Sequence, residues 1–165
     1  MEIKGIERRI SKLSKNEAVI LGAYCVDRML PYYVRFEDEI STEDDAFFVK
    51  FKGGYTKLAQ LLNIAILSLN DSHNNDYSEY IEQCLELAPD TEEISSVPAV
   101  LAQNCAIGLS YIFQYLDDGN IQNINFCFQK LVECYDTIAF ERKEHIEKYY
   151  SELYSDFSTL FNTFC

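Results

Sequence analysis

Apolar side chains recur along the chain at spacings of three and four, the period that gathers them on one face of a helix. The pattern predicts an all-α bundle of about seven helices. The first covers residues 2–13. Ser14 opens the second, and Glu17 three positions later completes a capping-box pattern. Val19, Ile20, Ala23, Val26, Met29 and Leu30 then fall on one face. Pro31 either kinks this helix or starts a new one. PYYVRFEDEI continues helically, with Tyr33, Val34 and Phe36 facing inward. Thr42 is the predicted N-cap of the next segment, whose first turn holds Glu43, Asp44 and Asp45, carboxylates that complement the helix dipole. Gly53 and Gly54 break that segment. Residues 55–69 carry Leu58, Leu61, Leu62, Ala65, Ile66 and Leu69 and are expected to form the most buried element. NDSHNN (70–75) reads as a loop.

The second half continues the pattern. In NDYSEYIEQCLELAPDTEE (75–93), Tyr77, Ile81, Cys84, Leu85 and Ala88 share one helical face, while Asp76, Glu79, Glu82 and Glu86 fan over the other. Pro89 ends the helix, and Asp90, Glu92 and Glu93 extend the acidic run into the loop. Ser96 caps the following helix, with Pro98 in its first turn. Residues 97–117 are apolar almost all round, so this helix is expected at the centre. Asp117 and Asp118 stand at its C-terminus, unfavourably for the dipole, and Gly119 is a natural stop. Asn120 is placed to cap a helix running to about Phe140, and a last helix spans roughly 142–162. No repeat, low-complexity tract or long linker divides the 165 residues, so residues 1–165 are read as one helical domain. The scarcity of Pro (3) and Gly (6) agrees with long helices rather than strands and turns.

Charge adds direction to this picture. The net charge is −13, and the imbalance is concentrated in the middle of the chain. Residues 1–57 hold ten basic and ten acidic side chains, whereas residues 58–129 hold ten acidic and no basic ones. Such a field repels nucleic acid and anionic membranes and attracts a basic partner. It also serves solubility without any partner. The N-terminus has no apolar signal region, and no apolar run approaches the roughly 18 residues that span a membrane, so a cytoplasmic location is expected. The six Cys have no CxxC spacing and lie within apolar patterns, which reads as reduced core thiols.

Candidate chemistry is sparse. His73 sits in a polar loop and His145 among charges, and Arg142 stands where a Glu-x-x-His metal motif would need its carboxylate. Asp71, His73, Asn75 and Glu82 imitate calcium-loop positions, but Asp76 replaces the turn glycine such a loop requires. No GxSxG elbow or phosphate-cradling glycine loop occurs. Cys25 and Cys165 lack a neighbouring His or cation to activate a thiolate. Neither an enzyme, a metal site nor a cofactor is expected. Tyr80 stands at the border between the apolar and acidic faces of its helix, where an aromatic ring can reach a partner.

Two stretches carry a resemblance. CVDRMLPYYVRF (25–36) resembles the Cys-x-x-Arg-Met-x-Pro-x-Tyr-x-x-Phe pattern of the YjaG-like bacterial proteins, and SSVPAVLAQNCAIGLSYIFQYLDDG (95–119) resembles that family's Pro-Ala helix and its central apolar helix. The order and spacing are compatible over roughly residues 1–140. This resemblance implies a single all-helical domain and brings no catalytic residues. In overall character the chain is similar to small acidic immunity proteins of bacterial toxin systems. The expected partner is then a basic toxin domain, an RNase or DNase, whose cationic substrate cleft an acidic helix covers. The expected contact surface is Asp76, Glu79, Tyr80, Glu82, Glu86, Asp90, Glu92 and Glu93, joined by Asp117 and Asp118, with Glu37, Asp38 and Glu39 as a second patch. The alternative is a helical regulatory protein of the YjaG-like kind that binds through a less charged face.

Overall fold

Every side chain from Val97 to Leu116 is buried or half-buried, and the helix that carries them is the hub of the molecule. The computed structural model describes residues 2–70 and 76–164. Among them the elements are α1 (Ile3–Ile10), α2 (Lys15–Glu39), the single turn α3 (Ala46–Val49), α4 (Gly54–Leu67), α5 (Ser78–Glu86), α6 (Val97–Asp118), α7 (Gln122–Arg142) and α8 (Ile146–Thr163). A 3₁₀ turn, Ser68–Asn70, follows α4. Seven of these helices exceed one turn, as the periodicity predicts, and no strand occurs among the described residues. The hub α6 packs against α2, α7, α5 and α4, while α8 lies mainly on α7 and α1 touches α7.

Local chemistry sets most of the boundaries. The Glu17 carboxylate accepts from the Ser14 amide (2.7 Å) and hydroxyl (2.5 Å), and these two bonds, the hydroxyl first, hold its pKa below the usual range. Ser96 Oγ accepts from the Ala99 amide at 3.2 Å. Gly119 adopts φ 69° after α6, a left-handed position where a Cβ would be strained. One helix runs unbroken through Pro31 from Lys15 to Glu39. The predicted Thr42 cap is displaced by three residues: Asp45 caps α3, its carboxylate accepting from the Phe47 amide at 2.8 Å. Gly53, at φ 77°, then turns the chain into α4. The final break falls at Lys143, which takes the left-handed conformation (φ 54°) usual for glycine. There the amides of Glu144 and Lys143 bond to the carbonyls of Ala139 and Phe140, a Schellman closure. Helix α8 therefore starts at Ile146 rather than near 142.

Burial departs from the expected faces at several points. Ile20, Val34 and Ile66 are exposed, and Leu67 is 66% exposed, so α4 is not the most buried element. That place belongs to α6, which is buried or half-buried from Val97 to Leu116 and packs against α2, α7, α5 and α4. Aromatic rings join the helices. Tyr33, Phe36 and Phe51 meet edge to face, with centroids 5.9 and 5.4 Å apart. Phe157 of α8 lies 5.6 Å from Tyr24 and 5.1 Å from Phe128. Beside that contact, Tyr24 and Arg28 of α2 both bond the Asp156 carboxylate of α8. Burial first, and the Asp156 carboxylate next, push the Tyr24 phenol well above its ordinary pKa. The thiols of Cys25, Cys84, Cys105, Cys127 and Cys134 are free and buried. Burial pushes those of Cys84 and Cys134 up to about 12.

A rigid acidic helix and the cleft beside it

Helix α5 begins with a turn made by its own acidic residue. Asp76 Oδ1 accepts from the Ser78 amide at 2.9 Å, and the Ser78 hydroxyl and amide together hold the Asp76 pKa low. The rings of Tyr77 and Tyr80 fix this end on α6. Tyr80 stacks on Phe113 with centroids 5.1 Å apart and planes at 23°, and Tyr77 lies 6.0 Å from the same ring. The other end is tied from two directions. Tyr33, buried in α2, donates its hydroxyl to the Leu87 carbonyl at 2.8 Å, and Gln103 of α6 donates to the Pro89 carbonyl at 2.8 Å. The contacts of Tyr80 with late α6 and of Pro89 with early α6 make α5 and α6 antiparallel.

The buried face of α5 differs from the expected one in a single step. Cys84 and Tyr77 are buried, and Ile81 and Ala88 are partly buried, but Leu85 is 47% exposed. The helix ends at Glu86, and the turn that follows swings Leu87 inward in place of Leu85. The helical period alone places Leu85 inward and does not mark Leu87.

The predicted contact residues fall into two groups. Asp76, Asp90 and Glu79 serve the local structure: Asp90 Oδ1 accepts from the Glu92 amide at 2.9 Å, and Glu79 accepts from Gln83 at 3.2 Å. Glu82, Glu86, Glu92 and Glu93 are exposed and make no ion pair or side-chain hydrogen bond among the described residues. Asp117 and Asp118 stand at the Asp76 end of α5, because the two helices run antiparallel. Asp118 is committed elsewhere, accepting from the Asn120 amide at 2.7 Å and from the Asn123 side chain at 3.1 Å. At the opposite end, Ser96 donates to Glu39 at 2.7 Å. That bond brings the 37–39 patch beside the loop carrying Glu92 and Glu93. Tyr80 is half-buried, with one ring face spent on Phe113.

Tertiary structure also closes part of the cation gap. Between α4 and α5 lies a cleft of about 700 Å³ with Lys50 and Lys57 on one side and Glu86 on the other. The acidic helix therefore has lysines along one edge, although none lies near it in sequence.

A second surface was missed by sequence reasoning. Phe140, near the end of α7, is 87% exposed, far more than any other large apolar residue described. It borders a broad groove of about 800 Å³ at the α7–α8 corner, with Asp136, Glu141, Glu144 and Glu147 around it. The available signal was its phase. Leu131, Cys134, Tyr135 and Ile138 are buried on one face of α7, and Phe140 falls outside that face, next to the charged run ERKEH.

Among the described residues no group of three His, Cys, Asp or Glu is placed to hold a metal ion. His145 is exposed and lends α8 no side-chain cap. The calcium-like residues Asp71, His73 and Asn75 lie outside the described residues, as does Cys165. Cys25 is fully buried, and its thiol pKa is raised by burial first and by the neighbouring Cys127 thiol next, the opposite of a nucleophile's environment. No described helix is long and apolar enough to cross a membrane. Comparison with family models, curated proteins and solved structures finds no match.

Proposed function

We propose that this chain is a binding protein that neutralises a basic partner, a toxin domain of the RNase or DNase kind, by laying the α5 face and the loop after it over the partner's cationic substrate cleft. The observation that carries this reading is the row Glu82, Glu86, Glu92 and Glu93: exposed carboxylates without intramolecular partners. Glu82 and Glu86 sit on a helix anchored at both ends by Tyr80–Phe113 and Tyr33–Leu87, and Glu92 and Glu93 lie in the turn after it. A nuclease needs a cationic cleft to hold phosphates. Carboxylates carried on an already folded backbone meet such a cleft without the cost of ordering the chain, and they accelerate encounter through charge. The protein acts in this reading without catalysis, metal or cofactor.

The test is capture of basic proteins from the source cell at low salt, followed by association kinetics with Glu82→Lys/Glu93→Lys. Both residues lie outside the α4–α5 cleft. The double variant is expected to slow association about 10- to 100-fold and to flatten its salt dependence, with the helical signal unchanged. Capture of no basic protein at low salt overturns the reading.

A second reading is favoured by Phe140. The helical regulatory role implied by the YjaG-like resemblance would use this exposed ring as an apolar anchor inside a charged rim, the usual anatomy of a protein-binding patch. It predicts that Phe140→Ala abolishes partner capture while the double charge reversal leaves it intact.

A further inference from the structure

We propose that the cleft between α4 and α5 is a small-molecule site for an amphipathic anion, a single anionic group carried on an apolar body. The cleft measures about 700 Å³, within the roughly 300–1,000 Å³ of ligand pockets. Its floor is apolar, made by Leu61 and Ile64 of α4 and by Leu87 from the end of α5. Two lysines, Lys50 and Lys57, are among the residues that line it.

The state of those two lysines points to an anion. Lys57 has no ion pair among the described residues, although the Glu86 carboxylate lines the same cleft. Lys57 lines the cleft together with the apolar side chains of Leu61 and Ile64, so an anion carried on an apolar body meets both there. Lys50 lies over the rings of Phe47 (5.0 Å) and Phe51 (4.7 Å), which hold its ammonium in place without neutralising it. The anionic group sits at the lysines, and the apolar body covers Leu61, Ile64 and Leu87. Glu86 opposite repels a second anion and accepts a donor on the ligand, so one molecule binds in one orientation.

The walls are preformed. Tyr33 passes so close to Gly54 at the start of α4 that a Cβ there would lie 2.5 Å from its ring, and its hydroxyl holds the Leu87 carbonyl. One buried side chain thus fixes both helices that border the cleft. The site shares Glu86 with the partner surface proposed above, but Glu82, Glu92 and Glu93 lie outside it, and its test needs no partner.

The probe is 1-anilinonaphthalene-8-sulfonate, a sulfonate on an aromatic body, titrated into the full chain by fluorescence. Dodecanoate serves as competitor, and amide shifts of the labelled protein map the site. Saturable one-to-one binding, displaced by dodecanoate and shifting the amides of residues 57–64 and 83–87, is expected. Lys57→Glu should weaken it at least about tenfold, the size of a lost charge-assisted contact, with thermal unfolding unchanged. Lys52→Glu, a lysine that bonds the Ser41 carbonyl away from the cleft, should have no effect. Unsaturable binding, equal affinity in Lys57→Glu, or amide shifts confined to the Phe140 corner overturns the site. Vesicles of phosphatidylglycerol should not bind; vesicle binding lost in Lys57→Glu would replace the free ligand with a lipid surface and overturn the proposal in this form.

Discussion

Tyr33 ties α2 to the start of α4 and to the end of α5. It lies in the core of α2, meets Phe36 edge to face, passes over Gly54 and donates to the carbonyl that ends α5. Burial is the main cause that raises its phenol far above the ordinary tyrosine range, so the hydroxyl stays a donor at any working pH. Removing that hydroxyl leaves the Leu87 carbonyl without this donor, and Tyr33→Phe is expected to cost about 1–2 kcal/mol in urea unfolding. Gly54→Ala places a methyl against the ring of a fully buried residue that cannot move aside. It is expected to cost about 1–3 kcal/mol by the same measurement. A Gly54→Ala protein as stable as the wild type would mean that the two helices are not held at this spacing.

At the scale of the element, helix ends are held by different means, and pH separates them. Arg35 of α2 grips Glu141 near the end of α7 through two bonds, 2.9 and 3.2 Å. The bonds from Arg35 are the main cause that holds the Glu141 pKa below its usual value. A carboxylate lowered in the folded state adds stability above its unfolded pKa and loses it as pH falls through the folded value. The pair is partly exposed and solvent-screened, so its contribution is about 0.5 kcal/mol. Wild type should therefore exceed Glu141→Gln by about 0.5 kcal/mol at pH 7, with the gap closing below the usual carboxylate range. Thermal unfolding of both proteins at neutral and acid pH checks the sign. A gap that widens on acidification contradicts the assignment.

At the scale of the whole molecule, five thiols report on its integrity. Cys25, Cys84, Cys105, Cys127 and Cys134 come from four helices and are all buried around α6. In a Cys165→Ser variant, a thiol reagent should find none of them in the native protein and all five in guanidinium, at a rate set by unfolding. Rapid labelling of one thiol under native conditions would reveal a helix that opens separately. The same scale governs the acidic surface. Its carboxylates were legible as a row along one helix, but its extent was not. The Ser96–Glu39 bond extends the row at one end, Asp118 turns away toward Asn123 at the other, and Lys57 approaches along the side.

The chain by itself determined the all-helical class, the number of helices longer than one turn, and the stops and starts at Ser14, Ser96 and Gly119. Those features depend on interactions within a few residues: a side chain that satisfies a free amide, or a backbone angle that only glycine adopts freely. It also determined α6 as the centre, since a helix apolar on all sides must be covered on all sides. Tertiary structure alone decided that Leu87 rather than Leu85 is buried, that Phe140 is exposed, and that Lys50 and Lys57 border the acidic helix. Each of these depends on which elements meet across the fold, and a one-dimensional pattern gives the faces of helices without their partners.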